Sequence, residues 1–207
     1  MLSSVDLVLA AVDTSSVTAA WALHSLASLP HTQAALRAEI SRTGDTVTCD
    51  TVRRLPYLGA FIKEVMRLYP VSPFLTRLAT QSVSLGPHHI PPGTVILISL
   101  YVMGRDQQIF SQPDTFRPER WMRDGETDPA ERRRRAFASL PFGHGVRSCI
   151  GRRIAELELQ LLVAKVCQRW RLTSRNENVK YTERMIGVPD KPISFTLTSV
   201  RTDQSTT

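Results

Sequence analysis

The chain has 207 residues, 42% hydrophobic and 22% charged, a composition that suits one globular domain or perhaps two and excludes disordered and fibrous classes. Lysine and arginine number 26 against 19 aspartate and glutamate, and the net charge of +7 favours an acidic partner. No uninterrupted apolar run approaches the ~18 residues that span a bilayer, and no basic leader precedes the first helix.

The three cysteines Cys49, Cys149 and Cys167 are far apart, which argues against a disulfide framework or a Cys-rich zinc site and suits a reducing compartment. Ser4 can cap a helix expected to run to about Leu29, where Pro30 ends it. Its core stripe of Val5, Leu9, Val12, Val17, Trp21 and Leu23 predicts a mostly buried element. Ala10-Ala11-Val12-Asp13-Thr14 sets an acid and a hydroxyl among apolar residues, where polar groups are costly unless partnered. Taken alone, Asp13 and Thr14 read as solvent-facing. A second helix over Thr32 to Ile40 is followed by a polar connection from Ser41 to Asp45, and a third starts after Pro56 and runs to Leu68, with Pro70 as its stop. In that helix Glu64 and Arg67 lie one turn apart on one face.

Leu75-Thr76-Arg77 begins a β-rich stretch with apolar residues at Val83, Leu85, Ile90 and from Val95 to Leu100. Turns at Gly86-Pro87 and Pro91-Pro92-Gly93 break it into a small antiparallel sheet. From Asp106 to Phe137 an irregular, packed connection is expected, ordered by Arg120 and Trp121. The run Arg132 to Arg135 reads as a solvated loop or as a dock for an acidic electron carrier; it lacks the interleaved aromatics or groove-reading motif of a nucleic-acid site. Ile150, Ile154, Leu157, Leu161 and Ala164 mark the buried face of a helix reaching about Trp170. Thr173 to Arg175 and Ile193 to Leu197 are candidate paired strands, with a turn at Gly187-Val188-Pro189 and a polar tail from Thr202 to Thr207.

Most of the chemistry points to Phe142-Gly143-His144-Gly145-Val146-Arg147-Ser148-Cys149-Ile150-Gly151. One cysteine sits in a glycine-rich loop feeding a helix, so the free amides of the helix start and the Arg147 guanidinium both stabilise a sulfur anion able to ligate a metal. Gly143, Gly145 and Gly151 can adopt backbone angles closed to other residues and let a flat ligand approach the main chain. The bland alternative is a buried structural cysteine.

This segment resembles the haem-binding loop of the cytochromes P450, Phe-x-x-Gly-x-Arg-x-Cys-x-Gly, with Phe142, Gly145, Arg147, Cys149 and Gly151 at the fixed positions. The resemblance implies haem b with Cys149 as the thiolate axial ligand, and Arg147 paired with a haem propionate; His144 either reaches a propionate too or is an ordinary loop histidine. Asp13 and Thr14 then match the family's proton-relay pair on its distal helix, with Ala11 where glycine is usual and the oxygen groove correspondingly narrower. Glu64 and Arg67 match the Glu-x-x-Arg signature, completed by Arg120 as a structural network supporting the haem loop. Arg77 corresponds to a propionate-binding arginine, the alternative being a strand-edge arginine. Val71, Phe74, Leu75, Met185 and Ile186 correspond to substrate-lining positions.

The implied fold is mainly α with a small antiparallel β region, the C-terminal half of the P450 fold, so that residues 1–207 form a partial domain. The implied activity is a haem-thiolate monooxygenase that inserts one atom of O2 into a lipophilic substrate. The phrasing from Leu140 to Glu158 is similar to the mitochondrial class, which acts on steroids, sterols and vitamin D-like molecules and takes electrons from an acidic ferredoxin; Lys63, Arg152 and Arg153 are candidate contacts. A peripheral place on the mitochondrial inner membrane follows, with membrane association only through a portion outside this chain. The microsomal alternative uses a flavoprotein reductase at the endoplasmic reticulum, and the functional alternative is a truncated, catalytically inactive chain that binds haem poorly.

Overall fold

The computed structural model describes residues 4–44, 46–122, 128–176 and 178–200. The Ser4 side chain, Asp45 of the polar connection and the tail 202–207 lie outside the described residues. Helix α1 spans Ser4–Ser28, α2 Pro30–Ser41, α3 Cys49–Val52 and α4 Pro56–Leu68. Pro30 and Pro56 each open a helix, where a missing N–H costs nothing. The Glu39 carboxylate of α2 caps α4, accepting the Tyr57 and Leu58 amides at 2.8 and 2.9 Å.

Strands β1 (Phe74–Leu78) and β4 (Val95–Ser99) pair antiparallel around β2 (Val83–Leu85) and β3 (His88–Ile90), which form a hairpin of their own. Then follow α5 (Leu100–Met103), a 3-10 turn at Pro118–Trp121, α6 (Pro129–Ala138), a 3-10 turn at Gly145–Arg147 and α7 (Arg152–Arg169). The chain closes with β5 (Trp170–Ser174) paired to β8 (Phe195–Ser199), and β6 (Tyr181–Glu183) paired to β7 (Gly187–Pro189). The β structure among the described residues is therefore four antiparallel two-stranded ribbons.

The core lies where α1, α2, α4 and α7 meet: Trp21, Leu26, Leu36, Phe61, Val65 and Val163 are fully buried. Gln33 pins this junction, its amide donating to Leu26 O at 2.8 Å and Leu172 O at 2.9 Å while its oxygen accepts the Leu172 N–H at 2.9 Å. Each bond satisfies a buried main-chain group that would otherwise cost free energy.

Several expectations need correction. Helix α1 is not mostly buried: Val5, Leu9 and Val12 are 65%, 66% and 58% exposed, and only the part from Val17 onward packs inward. Its apolar residues surround the helix, so periodicity alone cannot select the covered face, and the residues it contributes to the core run from Val17 to Ala27. By length and composition α1 is also apolar enough to cross a membrane, contrary to the run-length argument; the burial of Trp21, Ala22 and Leu26 makes its C-terminal half a core element. Ile150 precedes α7 and is exposed; on the helix Ile154 is exposed, Leu157 and Leu161 are half-covered, and the buried face is Leu159, Val163, Ala164 and Cys167. Arg132 to Arg135 form helix rather than loop, because Pro129 opens α6, Asp128 accepts the Ala130 amide at 2.8 Å and Glu131 pairs with Arg134 at 3.0 Å. Gly187 to Pro189 is strand β7, and the turn lies at residues 184–186.

Candidate functional site

The loop before α7 is shaped by two glycines in the left-handed region, Gly143 at φ +70° and Gly145 at φ +77°, where a side chain would be strained. Gly145 closes a 3-10 turn through the Ser148 N–H to Gly145 O bond at 3.0 Å, and the Cys149 N–H donates to Phe142 O at 2.9 Å. Gly151 differs from expectation: its φ of −82° is ordinary, and a Cβ there would meet Cys149 Sγ at 3.8 Å without clash. The Gly151 carbonyl accepts from Ile154 and Ala155, so α7 starts directly behind the cysteine.

Cys149 is exposed, as are Val146 and Ile150 beside it, with Ile150 at 80%. Burial instead holds Cys167 as a neutral core thiol, its pKa pushed up to about 12 by desolvation. Exposed Cys49 begins α3, far from any glycine loop. Among the described residues no cluster of three or more His, Cys, Asp or Glu side chains could hold a bare metal ion. A lone thiolate suits a metal that brings its remaining ligands with it, and the apolar surround with an adjacent arginine suits a flat apolar group carrying acidic substituents. Arg147 has no ion-pair or hydrogen-bond partner among the described residues, and His144 meets Phe137 edge-on at 5.4 Å between ring centres.

β1 borders this loop: Leu75 Cδ2 lies 3.9 Å from where a Gly143 Cβ would stand. Arg77 is exposed on the same strand and donates to Thr76 O at 2.9 Å. Val71 and the β6–β7 hairpin are brought together, since the Gly187 N–H donates to Val71 O at 2.9 Å and the Tyr181 hydroxyl to Pro70 O at 2.8 Å. That places Ile186, half-covered, and Met185, 96% exposed at the hairpin tip, beside the segment that carries Phe74 and Leu75. On α1, Ala11, Asp13 and Thr14 are exposed, and Thr14 Oγ1 bonds back to Ala10 O at 2.8 Å and Ala11 O at 3.4 Å. No bond links Thr14 to the cysteine loop among the described residues.

Behind the loop lies a saturated buried network. Glu64, 0% exposed, accepts from Arg67 Nη2 at 2.7 Å and Nε at 2.9 Å, Arg120 Nε at 3.0 Å, the Arg117 amide at 2.8 Å and Trp121 Nε1 at 2.8 Å. One carboxylate faces two guanidinium groups, and main-chain oxygens dissipate the excess: Arg67 donates to Gly104 and Pro113 O, both at 2.6 Å, and Arg120 to Ser111 O at 3.1 Å. Desolvation pulls the Arg120 pKa below its ordinary value while Glu64 opposes the shift. The Phe110 ring lies under both guanidinium groups, 5.0 Å from Arg67 Cζ and 5.9 Å from Arg120 Cζ.

Trp121, expected with Arg120 to order this connection, does so by donating Nε1 to Glu64, whereas the Phe110 ring and the close approach of Gly104 to Arg67 O have no signal in the sequence. A second missed feature is an aromatic cluster joining distant segments. Trp21 stacks on Tyr69 at 4.1 Å, Tyr181 on Tyr101 at 4.9 Å, and Arg105 Cζ lies 3.8 Å over Tyr101.

The geometry thus defines an exposed thiol on a glycine-shaped loop at the head of a helix, backed by a buried carboxylate with every lone pair engaged. The Cytochrome P450 family model matches residues 1–197, and the chain belongs to the cytochrome P450 family. It is similar to the mitochondrial sterol 26-hydroxylase of Oryctolagus cuniculus, 41% identical over 92% of this chain and 36% of that protein. It is also similar to the mitochondrial cholesterol side-chain cleavage enzyme of Hypanus americanus, 37% identical over 96% of the chain and 38% of the relative. The mitochondrial 25-hydroxyvitamin D-1 alpha hydroxylase of Homo sapiens is 38% identical over 92% of the chain and 38% of its own length. The chain spans well under half the length of these relatives.

Proposed function

We propose that this chain carries the haem-ligating and oxygen-handling C-terminal part of a mitochondrial P450 monooxygenase acting on a sterol-like substrate. The observation that carries the reading is Cys149: exposed, held by its own amide on Phe142 O, and set at the start of α7. Haem bound there supplies the chemistry that activates O2 and inserts one oxygen atom into the substrate.

The residues of this chain do the rest. Cys149 would hold the iron as thiolate, with the first turn of α7 stabilising the sulfur charge. Arg147, Arg77 and His144 would orient the group through its carboxylates. Thr14, its hydroxyl already hydrogen-bonded along α1, holds a proton at Oγ1 for delivery, and exposed Asp13 replenishes it. Val71, Phe74, Leu75, Met185 and Ile186 offer apolar contact to the substrate beside Ala11, excluding water from the reacting carbon. Glu64, Arg67 and Arg120 fix the connection that leads into the cysteine loop, a positioning role. Lys63, Arg152 and Arg153 receive an acidic ferredoxin, and the mitochondrial relatives support a mitochondrial location.

A second reading is favoured by the bare apolar face of α1, where Val5, Val8, Leu9 and Val12 stand exposed: the chain on its own is an inactive fragment that binds haem poorly. Reduction under carbon monoxide separates the two. The first reading expects a red-shifted thiolate-type Soret band that Cys149→Ala abolishes. A spectrum identical for chain and variant leaves the second. Absence of that band after joining this chain to the front portion of a relative overturns the haem-thiolate assignment itself.

A further inference from the structure

A cavity of about 390 Å³ opens between α4, α6 and the cysteine loop. Met66, Trp121 and Phe142 form apolar walls, and Lys63, Arg132 and Arg152 bring cations to it. Lys63 and Arg132 are exposed and have no ion-pair partner among the described residues, whereas Arg152 shares Glu156 at 3.1 Å and lies with Cζ 5.6 Å from the Phe142 ring centre. Arg120 closes the inner wall and belongs to the network in which one buried carboxylate serves two guanidinium groups. Among the described residues Glu156 is the one carboxylate lining the cavity, against Lys63, Arg120, Arg132, Arg135 and Arg152, so cations predominate in the described lining. A recess with apolar walls focuses their field more than a flat surface does, and aromatic walls with few convergent charges are the usual make-up of a small-molecule site.

We propose that this cavity binds a small organic anion with a flat apolar body, such as an aromatic phosphate, sulfate or carboxylate. Its head lies among Lys63, Arg132 and Arg152, and its body covers Met66, Trp121 and Phe142. Head and body are both needed: inorganic phosphate gains no wall contact, and a neutral ring gains no charge-assisted bond. Binding here does not depend on haem or oxygen chemistry. A bound anion would also occupy cations assigned above to the electron donor, a consequence that alone rests on the docking reading.

The test is isothermal calorimetry of the purified chain with 1-naphthyl phosphate, 1-naphthol and inorganic phosphate. The expected result is saturable one-site binding of 1-naphthyl phosphate, at least roughly tenfold tighter than either other probe, corresponding to about 1.4 kcal/mol. The Lys63→Ala/Arg132→Ala double variant, altered only at exposed side chains, should weaken it by roughly tenfold or more, and Arg171→Ala on exposed β5 should leave it unchanged. The proposal is overturned if 1-naphthyl phosphate shows no saturable binding, if 1-naphthol binds as tightly, or if the double variant binds like the parent chain.

Discussion

Replacing Glu64 by glutamine keeps its shape but removes the negative charge from a site that is 0% exposed and holds two guanidinium groups. Five donors currently converge on the carboxylate: two from Arg67 and one each from Arg120, Trp121 and the Arg117 amide. The glutamine oxygen can accept some of them, but its NH2 group points donors at donors. The two cations lose their shared counter-ion. Breaking a buried pair by removing one partner costs about 3–5 kcal/mol. With an unfolding entropy near 2.1 cal/mol/K per residue, a chain of this length should lose about 7–12 °C in Tm. Thermal unfolding followed by circular dichroism measures it directly. Arg134→Ala, which breaks the exposed 3.0 Å pair with Glu131, is the control and should cost less than about 1 kcal/mol. A Glu64→Gln shift below about 2 °C, or one no larger than that of Arg134→Ala, would refute the account of Glu64 as the shared counter-ion that fixes the connection leading into the cysteine loop.

Gly104→Ala should destabilise by about 1–3 kcal/mol, because the added Cβ would stand 2.9 Å from Arg67 O and 3.1 Å from Leu100 O, both backbone atoms. Gly59→Ala, in the interior of α4 with its nearest outside atom at 4.0 Å, should instead stabilise by about 0.5–1 kcal/mol; chemical denaturation of both variants checks the contrast. Cys167 and Tyr57 have pKa values raised from 9.0 and 10.0 to about 12, so the folded state holds protons that the unfolded state has released. Their contribution is present below pH 9 and is lost as pH rises towards 12, so denaturant midpoints measured across that window should fall, less steeply in Cys167→Ala. Thr14→Ala, within a full-length P450 context, should uncouple O2 consumption from product formation; unchanged coupling would remove the relay role.

The parts of the molecule that could be read in advance share a physical cause. Glu64 and Arg67 are one helical turn apart, so their pairing follows from spacing, and Pro56 and Pro70 bracket their helix. The cysteine loop was equally legible, since glycines at positive φ and a following helix leave a mark on local sequence. Helix α6 was not, because four consecutive arginines erase the hydrophobic period; its cap, Asp128-Pro129, was the overlooked sign. Burial along α1 and α7 could not be read either. Both helices have apolar residues on more than one side, and the choice of covered face depends on which neighbours arrive. The main-chain oxygens that absorb the surplus charge of Arg67 and Arg120 come from residues 104–115, and no side-chain pattern announces them.

The bond from Gly187 to Val71 has an evolutionary corollary. Two stretches over a hundred positions apart in the chain are tied through main-chain atoms, so the bond survives side-chain changes at position 71 and fails only when Gly187 is replaced, by proline, which lacks the N–H, or by a side chain that would meet the Tyr181 ring. A mutational scan for altered selectivity should therefore find epistasis between position 71 and positions 185–186: a bulkier residue on one partner shifts the optimum on the other, and libraries varying both together would reach variants that single-position libraries miss.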